Sequence, residues 1–386
     1  MTVSLNHLGD LARKRVAVAA YYFVPGVVFA SWASRIPDVK QMLHLGNGQL
    51  GTVLFAIPIG QLLMMAFSGI LVSKFGSKKM ILIAEVIYAI VLFCMGSSST
   101  VFLLILSLVA FGMMANLMNI ATNTQACLVE KMYGRNIMSS FHGLWSLGGF
   151  SGGIIGAVFA NTLLPIEAHF GAVLVMSLLI IAVGYRFLVD DATAKAEEED
   201  VPKFSFKTID PILFLLGLMG FAGMFCEGTV YDWSGVYFSS VVKPDEAFIR
   251  AGYVAGMGAM TLGRFLADGF VTKYGPARVL KVCGALILGG LWLAAALPYL
   301  VPATLGFLLV GFGISSSVPI CYSIAGKLGT IKASIAITIV SSISFFGFLV
   351  GPPVIGWLAE ATGLRIAISI AACLGLMIAF VAAKVE

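Results

Sequence analysis

The chain has 386 residues, of which 59% are hydrophobic and only 11% charged, with mean hydropathy +0.99 and a formal net charge of +5. Soluble domains carry about 25% charged residues, so a water-soluble globule is excluded. The apolar runs are continuous over about 20 residues or more, which predicts helices across a bilayer and excludes the short alternating strands of a barrel.

Met1–Arg15 lacks an apolar core and is not expected to be a cleavable signal. From there the hydropathy pattern predicts an all-α membrane protein with twelve transmembrane helices. The first six spans lie at residues 16–37, 48–73, 79–97, 101–129, 137–163 and 169–188. The second six lie at 211–241, 247–272, 277–299, 302–326, 332–358 and 363–383. This divides the chain into an N-terminal six-helix half (1–188), a polar linker (189–210) with an acidic run at Glu197–Asp200, and a C-terminal six-helix half (211–386). With the N-terminus inside, eighteen of the twenty-four Lys and Arg fall on inner segments and five on outer ones, with Arg264 inside a span. Positive charge collects on the cytoplasmic side, so both termini are expected there. The net charge is then a membrane-side asymmetry and not a nucleic-acid signal.

The six cysteines, Cys94, Cys127, Cys226, Cys283, Cys321 and Cys373, lie singly in apolar spans and read as small buried hydrophobes. No disulfide, metal or cofactor is expected. Neither a nucleophile triad nor a phosphate-binding GxxxxGK[ST] loop occurs, so any energy source must be a gradient.

The halves repeat. A shift of 199 residues lays SKFGSKK (Ser73–Lys79) on TKYGPAR (Thr272–Arg278), Gly112 on Gly311, Gly148 on Gly347 and Gly152 on Gly351. Two homologous halves are the build expected of an alternating-access transporter, with the substrate near the midplane.

GILVSKFGSKK (Gly69–Lys79) resembles the loop signature that follows the second helix in the major facilitator superfamily, with Ser73 where the signature has an acid. GRFLADGFVTKYG (Gly263–Gly275) resembles its eighth-helix version. NIATNTQACLVE (Asn119–Glu130), SSFHGLWSLGG (Ser139–Gly149), EGTVYDWS (Glu227–Ser234) and GPPVIG (Gly351–Gly356) extend the likeness to the fucose-permease-like, YbjJ-type bacterial inner-membrane branch. The resemblance implies two pseudo-symmetric six-helix halves, a secondary transporter and no enzymatic activity. Relatives of the fucose-permease kind move sugars with protons.

The polar groups inside the spans are the candidate site. FCEGTVYDWSGVY (Phe225–Tyr237) carries Glu227 and Asp232 within a run long enough to cross a bilayer. An acid at membrane depth costs about 2.5–3.5 kcal/mol on insertion scales and is functional by default. Glu227 lies about 24 Å from the inner start of its span and Asp232 about 31 Å. His142, read as the only histidine well inside a span, joins them as a proton-coupling candidate, with a structural role as the competing reading. Asn116, Asn119 and Asn123 fall at i, i+3 and i+7 and share a helix face. Together with Trp145, Tyr231 and Trp233 they are the substrate-binding candidates, suited to a hydroxyl-rich solute. The competing readings are interhelical hydrogen bonding for the amides and interfacial anchoring for Trp233.

Arg35, at the outer end of the first span, is expected to pair with Asp232 or Glu227 when the outer side closes. Arg264 and Asp268, at i, i+4, are expected to pair with each other as a gating element. Glu85 is expected to snorkel towards Lys78 or Lys79 and to stand outside the site. Gly148, Gly149, Gly152, Gly153 and Gly156, with Gly351, Pro352 and Pro353, are read as rocking-interface features.

The leading functional reading is proton-coupled symport of a small polar solute, a sugar or sugar derivative, with protons and the lipid bilayer as the other partners. No nucleic acid is expected, and the protein is read as a monomer. The alternative is proton-coupled efflux of drugs or amphiphiles. Antiporters of the superfamily carry a glycine–proline pair in the fifth span, where this chain has SGGIIG (Ser151–Gly156). A non-transporting receptor or scaffold is disfavoured by the short linker and termini.

Overall fold

A computed structural model describes residues 5–134, 137–162, 164–191, 211–328 and 333–384. Most of the linker expected at 189–210 lies outside the described residues. The described residues form thirteen α-helices and no strand. They are α1 (Leu5–Met42), α2 (Asn47–Leu54), α3 (Ala56–Phe75), α4 (Ser77–Gly96), α5 (Val101–Tyr133), α6 (Met138–Ala160) and α7 (Ile166–Tyr185), followed by α8 (Pro211–Tyr237), α9 (Ala251–Tyr274), α10 (Pro276–Ala296), α11 (Leu300–Lys327), α12 (Ala333–Thr362) and α13 (Leu364–Ala382). A π-helical turn, Phe238–Val242, continues α8.

The α2–α3 pair makes one span, Asn47–Phe75. Pro58 has no N–H to offer Leu54, which accounts for the break at Phe55. Eleven segments are long and apolar enough to span a bilayer by length and composition. α9, with Arg264, Asp268 and Lys273 in its 24 residues, supplies the remaining span of the fold.

Several helices outrun the apolar stretches from which they are predicted. α1 has 38 residues, about 57 Å at 1.5 Å per residue, and its first turns are held by a Lys14–Asp10 ion pair at i, i+4. Lipid provides no backbone partner, so every span closes its own hydrogen bonds. Apolar side chains such as Leu63, Met65, Phe67 and Ile70 on α3 and Phe102 and Leu106 on α5 stand exposed, as a lipid-facing surface requires. Cys94, Cys127 and Cys373 are exposed too, while Cys226, Cys283 and Cys321 are buried. The reading of all six as buried therefore holds for three. The spans are apolar on every side, so composition does not separate a lipid-facing from a protein-facing cysteine.

The described residues divide into two compact units. One takes Met1–Arg35 and Ala56–Glu199, the other Ile36–Phe55 and Asp200–Glu386. In the first, Ala84, Leu92, Leu104, Leu108, Phe111 and Phe170 are fully buried. In the second, Leu213, Met219, Leu291, Phe307, Val310 and Ala372 are. Helices in lipid associate by close packing, which favours small residues at their crossings. The same crossings recur in the two units. A Cβ on Gly112 would run into the carbonyl of Ile57, and one on Gly311 into the carbonyl of Gly256. Both members of this contact are 199 residues apart. Likewise Gly148 abuts the carbonyl of Phe23, and Gly347 that of Phe221. Gly76 (φ 84°, ψ 145°) and Gly275 (φ 80°, ψ 154°), again 199 apart, share a backbone conformation close to one essentially reserved for glycine.

Candidate functional site

In the second unit the chemistry gathers on α8. Glu227 Oε1 accepts a hydrogen bond of 2.6 Å from the Tyr231 hydroxyl, one turn along the helix. The same oxygen accepts from Arg264 Nη2 of α9 at 3.3 Å. The Glu227 side chain is 13% exposed and that of Arg264 24%, so the pair is mostly enclosed yet reachable. The Tyr231 hydroxyl also lies 3.9 Å from the Met260 sulfur, and its ring centre is 6.4 Å from that of Tyr253 on α9. Tyr322 of α11 is within electrostatic reach of Glu227, and Tyr253 of Asp232. Asp232 is buried. The Tyr253 hydroxyl and the Trp233 indole nitrogen are buried without a hydrogen-bond partner among the described residues.

One carboxylate oxygen thus serves two donors, the Tyr231 hydroxyl and the Arg264 guanidinium.

In the first unit a polar network crosses from α1 to α5. The Tyr22 hydroxyl donates to Asn123 Oδ1, and Asn123 Nδ2 donates to Asn119 Oδ1 at 2.8 Å. The Tyr22 ring stacks on Phe141 at 5.5 Å and meets His142 edge-on at 5.2 Å. Asn119 and His142 are exposed. Asn116 does not join this network. It accepts from the Ser68 hydroxyl of α3 at 2.7 Å. Trp145 lies against Phe29, with ring centres 6.3 Å apart.

The structure pairs several predicted residues with partners the sequence did not indicate. Arg35 Nε donates to His169 Nδ1 at 3.3 Å, and His169 is fully buried, stacked on Phe159. His142 is therefore not the only histidine inside the protein. His169 stands in the first turn of α7, where the predicted span only begins, and Arg35 with two phenylalanines covers it. Arg264 reaches back to Glu227; the side chain of Asp268 lies outside the described residues. Trp233 is 0% exposed, within the protein and not at an interface. Glu85 does not snorkel. Burial leaves it 1% exposed, and Lys78 sits over the Tyr185 ring at 5.2 Å.

Three groups were missed altogether. Tyr22 and Tyr322 carry hydroxyls beside the two candidate clusters. Tyr322 is the 199-residue counterpart of Asn123, so the repeat itself was a signal for it. Asp191 caps α4 through the N–H and hydroxyl of Ser77 at 3.0 and 2.6 Å, placing a carboxylate at the positive end of a helix. This is the loop in which Ser73 replaces the signature acid.

A further cluster holds the segment Ile36–Phe55 within the second unit. Arg250, 3% exposed, forms an ion pair with Asp38. Glu360 Oε2 accepts from the Gly48 N–H at 3.1 Å, and Lys40 donates to Asn47 at 2.6 Å. Gly51 lies so close to Pro352 and Gly356 that a Cβ would not fit.

The model of the Major Facilitator Superfamily matches residues 18–329. The chain belongs to the major facilitator superfamily. An uncharacterized MFS-type transporter of Yersinia pestis is 32% identical over 375 residues, covering 96% of this chain and 94% of that protein. An uncharacterized transporter of Sinorhizobium fredii is 31% identical over 368 residues, covering 95% and 96%. Among solved structures, a point mutant of the nucleoside transporter NupG superposes with a TM-score of 0.78 at 15% identity, covering 96% of this chain and 99% of that one. At that identity the likeness is one of fold. This major facilitator is thus a multi-pass membrane transporter of twelve spans and not an enzyme.

Proposed function

We propose that this transporter moves a small, hydroxyl-rich polar solute, a sugar or sugar derivative, in symport with protons. It does so across a bacterial inner membrane with both termini in the cytoplasm. The observation that carries the reading is Glu227, an intramembrane carboxylate whose one oxygen serves both Tyr231 and Arg264. Loading a proton there loosens Arg264, which couples protonation to rearrangement between α8 and α9. The exposed amide of Asn119, backed by Asn123 and Tyr22, offers both donors and acceptors to hydroxyls. The eighteen-to-five distribution of Lys and Arg supports the orientation. The motifs shared with the fucose-permease-like branch support the solute class.

The test uses purified protein in proteoliposomes with a pH dye inside. Neutral sugars, sugar acids, nucleosides and amino acids are added in turn. Internal acidification on adding one class, abolished in Glu227→Gln, is the expected result. Silence across the panel from folded protein overturns sugar–proton symport and favours efflux of amphiphiles.

A further inference from the structure

Glu85 is the acid that the transport reading leaves unused. It stands on α4 with 1% of its surface exposed, and neither carboxyl oxygen has a hydrogen-bond partner among the described residues. Its neighbours on α4, Ile81, Ala84, Ala89 and Leu92, are fully buried. From α5, Phe111 stacks on Tyr88 one turn away, with ring centres 3.9 Å apart. Among the described residues, the titratable group within its electrostatic reach is a phenol. Tyr21 of α1 is within electrostatic reach, and Tyr185 of α7 acts in turn on Tyr21. The Tyr21 hydroxyl donates to the Ile181 carbonyl of α7 at 2.9 Å and keeps its lone pairs for a donor. No cation among the described residues bears on Glu85; of the two lysines on α4, Lys79 is exposed and Lys78 is engaged on the Tyr185 ring.

An ionised carboxylate cannot be kept in such a place, because it accepts only and nothing donates to it. A protonated carboxyl can. We propose that Glu85 is a second proton-binding site, occupied at neutral pH and enclosed in the first unit where α1, α4 and α7 pack together. Its proton leaves only when water reaches α4, so its occupancy follows the packing of these three helices. The site is separate from Glu227, which has a cation beside it, and does not depend on which solute is carried.

Infrared difference spectroscopy on the full chain in nanodiscs tests this at about pH 8, well above the ordinary carboxyl range. The wild type and Glu227→Gln should both show the C=O stretch of a protonated carboxyl, and Glu85→Gln should lose it. Independently, dicyclohexylcarbodiimide, which attacks protonated carboxyls in apolar surroundings, should modify Glu85 in the wild type, as located by peptide mass spectrometry. A wild-type spectrum with no such band at this pH, or a band unchanged in Glu85→Gln, overturns the proposal. The labelling arm needs no variant, so a poorly folding Glu85→Gln does not remove the test.

Discussion

Arg264 Nη2 lies 3.3 Å from Glu227 Oε1, joining α8 to α9, and the same oxygen accepts from Tyr231. Removing the guanidinium leaves a mostly enclosed carboxylate with one donor fewer. Arg264→Ala is therefore expected to destabilise the protein by about 1–3 kcal/mol, the cost of a buried group left unsatisfied. Thermal unfolding in detergent measures it. Glu227→Gln/Arg264→Ala should recover part of the loss, because the charge that needed compensation is gone. A double variant no better than Arg264→Ala alone would show that the arginine acts through packing.

Transport by Glu227→Gln distinguishes coupling from binding. Gln keeps an acceptor for Tyr231 but takes up no proton. Solute exchange between equal concentrations should persist, while uphill accumulation driven by a pH gradient should vanish. Counterflow and gradient-driven uptake, measured on the same proteoliposomes, check this. Loss of both would assign Glu227 to solute binding or folding.

The ion pair of Asp38 with Arg250 and the Glu360–Gly48 hydrogen bond fasten the turn between α1 and α2 within the second unit. Asp38→Asn removes a charge from beside an arginine that is only 3% exposed. Amide hydrogen exchange over residues 43–54 is expected to rise about tenfold, equivalent to about 1.4 kcal/mol. Glu360→Gln should give a smaller rise in the same peptide, and α13 should be unchanged. Uniform acceleration would mean global destabilisation and no local fastening.

The fold was legible because its signals are local. Continuous apolar runs gave the spans, and Lys and Arg gave an orientation that awaits measurement. A single offset linked Gly112 with Gly311, whose crossings at Ile57 and Gly256 proved equivalent. The site was legible as a set of unusual residues, since Glu227 and Arg264 each stand out in an apolar helix. Their pairing was not, because it depends on how each helix turns about its axis. Spans that are apolar all round carry no periodicity to fix that rotation. Tyr22 and Asn123 are 101 positions apart, and Arg35 and His169 134; partners so distant follow only from helix neighbours. Glu85 was misplaced for a related reason. Its distance along α4 permitted snorkelling, but helix packing leaves it 1% exposed.

Tyr22 anchors the Asn123–Asn119 network, so Tyr22→Phe removes one hydrogen bond and keeps the ring on Phe141. If the exposed Asn119 amide contacts solute, loosening its support should raise KM about five- to tenfold, near 1–1.4 kcal/mol, with little change in the maximal rate. Asn116→Ala, which breaks a separate bond to Ser68, should affect stability more than KM. Equal KM effects from both variants would argue against Asn119 as a contact.

Gly275 has φ 80° and ψ 154°, and a Cβ there would meet nothing within 4 Å. Gly275→Ala isolates backbone strain from steric overlap and should cost about 1–3 kcal/mol. Gly269, inside α9, is also open within 4 Å but has no positive φ, so Gly269→Ala should be neutral or slightly stabilising through helix propensity. The two alanines differ in backbone conformation and in little else. A Gly275→Ala protein as heat-stable as Gly269→Ala would show that the loop between α9 and α10 relaxes into an ordinary turn, and that the conformation shared with Gly76 is not required for folding.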